Sequence, residues 1–155
     1  MNVIRIATEA DVRSIDEGLY SHLHANHISS KGHIYSVICS PDYYLAVADE
    51  GSTDAPHLIG TCTLHVITQA ASSPHGMMND LVVVPGHRLE GIGRALFEYL
   101  EERACERLCK TIFFTCSPKR EPGNKFHIAM GYILQAAAVG KDGTNFYEKL
   151  LVPKT

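Results

Sequence analysis

Arg88-Leu89-Glu90-Gly91-Ile92-Gly93-Arg94 is the stretch of this 155-residue chain whose residue types and spacing best support chemistry. It follows an apolar run, Leu81-Val82-Val83-Val84-Pro85-Gly86, and opens a long amphipathic pattern. Physically this is an anion site. The first-turn amides of a helix have no intrahelical partner and carry the positive end of the helix dipole. Gly91 and Gly93 lack a Cβ, so a phosphate can approach the backbone closely. Arg88 and Arg94 can add charge-assisted bonds. Two common phosphate loops fail. The dinucleotide pattern G-x-G-x-x-G would need a glycine where Leu96 stands, and no acid ends a second strand at the required distance. The pattern G-x-x-x-x-G-K-[ST] is absent.

Other reactive side chains read as follows. His22, His24, His27 and His33 cluster at a polar break, but their spacing fits no ligand pattern and no carboxylate accompanies them, so no metal is expected. The five cysteines (Cys39, Cys62, Cys105, Cys109 and Cys116) form no C-x-x-C and read as reduced, mostly buried thiols. A formal net charge of −3 argues against a nucleic-acid binder. No apolar run is long enough to span a bilayer and no signal peptide is recognised, so a cytoplasmic protein without membrane partners is expected.

The elements that must position these groups follow from the apolar periodicity. Val3–Ile6 alternates as a short edge strand. Thr8 caps an amphipathic helix to about His24, with Val12, Ile15, Leu19 and Leu23 on one face. Ile34, Val37 and Ile38 suggest a second short helix, stopped by Ser40-Pro41. Strands are expected over Tyr43–Ala48, Leu58–Thr68 and Met77–Val84, the first two joined by a loop from Asp49 to Pro56. The run Leu81–Val84 reads as buried on both faces. Ile92–Leu108 is the clearest helix. A strand over Thr111–Cys116, a helix over Asn124–Met130 ended by Gly131, and two strands near Ile133–Val139 and Asn145–Val152 complete the chain. A Gly140-Lys141-Asp142-Gly143 turn joins the last two. The order β-α-α-β-β-β-α-β-α-β-β predicts one mixed α/β domain over residues 1–155 with a mixed sheet.

With its flanks, Arg88-Leu89-Glu90-Gly91-Ile92-Gly93 resembles the R/Q-x-x-G-x-G/A signature of the GCN5-related N-acetyltransferase (GNAT) family. Gly123-Asn124-Lys125-Phe126-His127-Ile128-Ala129-Met130-Gly131-Tyr132 follows one helix and one strand later, and within it Phe126 to Tyr132 resembles that family's second block. The resemblance covers essentially the whole chain. It implies an acyl-CoA N-acyltransferase fold and acetyl-CoA as co-substrate. The pyrophosphate would lie on Arg88, Leu89, Glu90, Gly91, Ile92, Gly93 and Arg94. The pantetheine arm would pair with the main chain of the Val82-Val83-Val84 strand, chiefly Val82 and Val84, with Asn124 on its other side.

The same resemblance assigns the reacting groups. Its usual glutamate base falls at Asn79, which takes no proton at neutral pH. Asp80 is the neighbouring candidate, provided a bulge turns it from the opposite face of the strand. His65 and His75 are water-linked alternatives. His127 stands where the family often places a tyrosine acid, with Tyr132 and Tyr147 as substitutes. Tyr20, His24, His27 and Tyr35 fall on the acceptor side. Tyr43, Tyr44, Phe113, Phe114 and Phe146 read as core. Family members often dimerise, and Asn145–Val152 could contribute an edge.

The expected activity is transfer of an acetyl group to a primary amine of a small molecule, directly within a ternary complex. A protein or peptide acceptor and a catalytically silent acyl-CoA sensor are the alternatives. The acceptor itself is not legible, because loops and first helices set it.

Overall fold

A computed structural model describes residues 2–24, 26–51, 56–139 and 143–152. Its strands are β1 (Val3–Ile6), β2 (Tyr43–Asp49), β3 (Leu58–Ile67), β4 (His75–Val83), β5 (Thr111–Cys116), β6 (Ile133–Ala136) and β7 (Asn145–Leu150). Its regular helices are α1 (Lys31–Cys39), α2 (Ile92–Glu106) and α3 (Glu121–Ala129). The strands hydrogen-bond in the order β1-β2-β3-β4-β5-β7-β6, a mixed sheet in which β4 and β5 run parallel. The element order is the one the periodicity predicts.

Two compact units divide these elements. One runs up to His65 and takes in Asn79–Arg103; the other holds Val66–Met78 and everything from Ala104. In the first, β2 pairs antiparallel with β1 and β3. Ile15, Leu19, Ile34, Leu45, Val47 and Val82 form one apolar cluster. Burying each such side chain contributes roughly 1.5–3 kcal/mol. Arg5 braces the edge strand: its guanidinium reaches Asp11 at 2.7 Å and Asp49 at 2.8 Å.

The expected long helix after Thr8 is not a regular one. Glu9–Asp11 and Tyr20–His22 are 3-10 turns, and Ser14–Leu19 is a π-helical segment in which the Tyr20 amide donates to Ile15 O. The wider turn brings Ile15, Asp16 and Leu19 to the buried side together. Asp16 needs that position, because the donors that satisfy its carboxylate come from residues 27–30.

The run Leu81–Val84 is also less buried than its composition predicts. Only Val82 is buried, and Leu81, Val83 and Val84 are half-exposed. The strand breaks its regular course at Asp80, whose φ of 53° lies in the left-handed region. Gly60 on β3 makes room for this segment: a Cβ there would stand 3.1 Å from Val82 O and 3.2 Å from Ile92 Cγ2.

In the second unit β5 pairs antiparallel with β7 in the register Phe114↔Tyr147, and β7 pairs with β6. The C-terminal strand is therefore interior, not an edge; the edge is β6, all of whose residues are exposed. α3 begins three residues before the expected Asn124 and ends at Ala129, two residues before Gly131, whose φ is 87°. Of the predicted turn from 140 to 143, only Gly143 falls within the described residues, and the loop after Asp49 is described only in part.

Candidate active site

The glycine loop is built as its sequence requires. A short turn, Pro85–His87, leads from β4 into it. Leu89 (φ 68°) and Gly91 (φ 82°) both adopt left-handed conformations, and the Leu89 side chain stands fully in solvent. The Ala95 amide donates to Gly91 O at 2.9 Å, the first bond of α2. The amides of Ile92, Gly93 and Arg94 thus make up the exposed first turn, with no earlier carbonyl in helical reach. Nothing lies within 4 Å of where a Gly91 Cβ would be, so the backbone there is open to an approaching group. Arg94 lies 3.7 Å from Glu98, and Glu90 lies 3.2 Å from His87, which also faces Glu50. This open turn, with Arg88 and Arg94 at its ends, fits a pyrophosphate.

The main chain of β4 departs from expectation in parity. The Val84 amide donates to Ile59 O at 3.0 Å, and Val82 O also faces β3. A residue's N–H and C=O point to one side of a strand and its neighbours' to the other. Val82 and Val84 are therefore committed to β3, and Val83 directs its main chain away from it. The Val83 carbonyl accepts Arg88 Nε at 3.1 Å. The main chain turned away from β3 is thus that of Val83, the middle residue of the expected Val82-Val83-Val84 stretch.

Behind that strand lies a cavity of about 570 Å³ within the first unit. Asn79 and Asp80 both line it, although neighbours on a regular strand would face opposite ways. The left-handed backbone at Asp80 is the re-aiming device that the sequence could only allow for. Burial pushes the Asp80 carboxyl above its ordinary value, partly offset by His24. Tyr20 is half-buried beside it; burial, then the Asp80 charge, raises its phenol well above the usual range. His24 and His27 line the cavity too, whereas Tyr35 lies outside the lining and half-exposed, beside Cys39. Tyr43, read from sequence as core, forms a cavity wall and stacks on His65 at 4.2 Å. His75 lies in the other unit, against Phe113.

Asp16 is the residue that sequence reasoning missed. Its side chain is buried, with His27 Nε2 at 2.8 Å, the Ser29 hydroxyl at 2.7 Å and the Ser30 amide at 2.8 Å. Burial would raise its carboxyl, but these donors outweigh burial and hold it at about 2. Asp16 thereby pins the segment that brings His27 and Ser30 to the cavity.

In the second unit, Asn124 and His127 have structural surroundings. The Asn124 amide donates to Ser117 O and Arg120 O, both at 2.9 Å. Its oxygen accepts Asn145 Nδ2 at 3.1 Å and the Tyr147 hydroxyl at 2.6 Å. That is the full capacity of an amide side chain, so a cofactor contact through it requires one of these bonds to break. His127 is 7% exposed, with its ring 4.0 Å from that of Phe114. Burial pushes its imidazole down to about 4, so at neutral pH it carries no imidazolium proton to give. This environment does not suit the acid role expected of His127.

Comparison with known proteins agrees with this architecture. No curated protein matches the chain in sequence. Among solved structures, yncA of Salmonella typhimurium, with its cofactor acetyl-CoA, is 16% identical, with a TM-score of 0.79 over 100% of this chain and 96% of that one. NAA60 of Arabidopsis thaliana, in complex with acetyl-CoA, is 13% identical (TM-score 0.79, 97% and 99% covered). Glucosamine-6-phosphate N-acetyltransferase of the same plant is 16% identical (TM-score 0.75, 91% and 97% covered). At such identities the likeness is one of fold. The sequence model of the acetyltransferase (GNAT) family matches residues 16–132, three-quarters of the chain, and carries the conclusion further: the chain belongs to that family.

Proposed function

We propose that this acetyltransferase moves an acetyl group from acetyl-CoA to the primary amine of a small molecule, by direct transfer without a covalent enzyme intermediate. The observation that carries the reading is the cavity of about 570 Å³ with Asp80 inside it, two residues before Val82 on the strand that leads into the glycine loop. Its volume is that of a small-molecule site.

Arg88, Leu89, Glu90, Gly91, Ile92, Gly93 and Arg94 would hold the pyrophosphate of acetyl-CoA, and the Val83 main chain would take the pantetheine arm. When bound, acetyl-CoA supplies an acyl group activated as a thioester. The chain's own residues do the rest. An amine is nucleophilic only when neutral, and Asp80 accepts its proton; a raised pKa makes that carboxylate the better base. Asn79 orients the amine beside it. The Val83 amide is the donor for the developing oxyanion. Positioning supplies much of the acceleration. The cofactor thiol leaves readily enough that no side-chain acid is assigned.

The test is thiol release from acetyl-CoA over a panel of small amines and N-terminal peptides, with calorimetric titration of acetyl-CoA alongside. Release with small amines is the expected result. Release with peptides only would transfer the assignment to a protein acceptor. Binding without release would leave an acyl-CoA sensor, and absence of binding would remove the loop assignment.

A further inference from the structure

The cavity's lining carries an electrostatic signature that narrows the acceptor. Among the described residues that line it there is no lysine or arginine, and Asp80 is the one carboxylate. Lys31, adjacent in sequence to the lining residue Ser30, holds Glu17 at 2.6 Å, as Arg13 does at 2.9 Å. Leu23, Ile34, Val37 and Leu45 supply an apolar wall, and Tyr20 and Tyr43 supply two phenol rings. A ligand carboxylate or phosphate entering this space would meet Asp80 with no lysine or arginine to answer it, only the imidazoles of His24, His27 and His33, of which His27 already holds Asp16. An anion desolvated without a partner is strongly disfavoured. An ammonium, by contrast, is drawn to Asp80 and to the aromatic faces.

Resting on the small-amine reading above, we propose that the acceptor is a primary amine on an uncharged, largely apolar body, such as an aralkylamine or alkylamine, with no carboxylate or phosphate. The amine end sits at Asp80 and Asn79, where its proton is taken up. The body lies along Leu23, Ile34 and Val37 and against Tyr43. Amino acids and phosphorylated amino sugars are thereby disfavoured as acceptors, because each brings its own anion into a cavity that offers it no lysine or arginine.

The experiment compares 2-phenylethylamine with phenylalanine, which differ by one carboxylate. Each is titrated calorimetrically into the full chain and assayed by thiol release from acetyl-CoA. The expected result is a preference for 2-phenylethylamine of at least about 30-fold in both affinity and kcat/KM, the scale of an unanswered like charge in a binding site. His33→Arg places a cation on an exposed lining position of α1 and leaves Asp80 in place; it should cut the preference by about tenfold. Equal or better binding of phenylalanine, or a preference that His33→Arg leaves unchanged, would overturn the proposal. Selective binding of 2-phenylethylamine without thiol release would uphold the cavity's selectivity and overturn the transferase reading. Failure of both amines to bind, with release only toward peptides, would overturn both.

Discussion

Replacing Asp16 with alanine removes the carboxylate that His27, Ser29 and Ser30 share. The Ser29 hydroxyl can turn to another acceptor, but the Ser30 amide and the His27 ring are left in a half-buried place without the group they were built around. Hydrogen bonds to an ionised group contribute about 1.5–3 kcal/mol each, so the loss is about 3 kcal/mol after partial relaxation. For a chain of this size that corresponds to a fall in Tm of about 6–12 °C. The pH dependence has a definite sign. The folded carboxyl sits at about 2, below its ordinary 3.8. Its contribution is therefore complete above about pH 4 and disappears as pH falls through about 2. Asp16→Asn keeps the volume and one acceptor oxygen, and should lose less than half as much. Thermal melts at pH 7 and pH 3 measure both effects. Because Asp16 holds residues of the cavity wall, the KM for the amine should also rise in Asp16→Ala while acetyl-CoA affinity holds. A Tm drop below about 2 °C, or equal losses of amine and acetyl-CoA affinity, would refute the pinning argument.

Gly91→Asp puts a negative charge where the pyrophosphate is placed; acetyl-CoA affinity should fall at least about 100-fold, while Gly91→Asn, with similar backbone strain and no charge, falls far less, as calorimetry will show. Asp80→Asn suits the left-handed backbone, so the fold survives; turnover should drop about 10²–10⁴-fold with acetyl-CoA binding intact. The raised folded pKa of Asp80 means that its contribution to stability is lost as pH rises through that value, so the asparagine variant should melt slightly higher at pH 7.5. His127, pushed down to about 4, imposes the complementary behaviour: stability is full above its ordinary 6.5 and falls as pH drops toward 4, by about 3 kcal/mol. His127→Phe should flatten that acid limb in urea unfolding at pH 7 and pH 4. Gly60→Val drives a side chain into Val82 O and Ile92, costing about 1–3 kcal/mol, seen as a lower urea midpoint at constant m.

The elements that rest on local chemistry were legible in the chain. Gly91 and Gly131 mark left-handed turns at the two ends of helical segments, and the period of α2 is unambiguous. What escaped the sequence depends on groups distant along the chain. Asp16 reads as one acid in a polar helical stretch, and its donors arrive eleven to fourteen residues later. Nothing local separates an α-helix from a π-helical segment there, because Ile15 and Leu19 suit either. The alternation along β4 was readable, but its phase was not. With one left-handed residue at Asp80, the main chains of Val82 and Val84 face β3 and that of Val83 turns away. His127 looked reactive by position; its burial under Phe114 is set by the pairing of β5 with β7. Tyr43 looked like core because a strand tyrosine beside a cavity has the same pattern as one beside other side chains.

The left-handed backbone at Asp80 also restricts the history open to this position. Asparagine, aspartate and glycine tolerate such a conformation, whereas longer or branched residues pay strain for it. Drift at residue 80 is thus confined to a proton acceptor, a neutral isostere and an empty side chain, with glutamate disfavoured although it is chemically equivalent. On the proposed function, a change of acceptor would come from exchanging the walls around Asp80, on α1 and the segment before it. Laboratory evolution for bulkier amines should follow the same route, accumulating substitutions at Leu23, His33 and Val37 while residue 80 stays fixed.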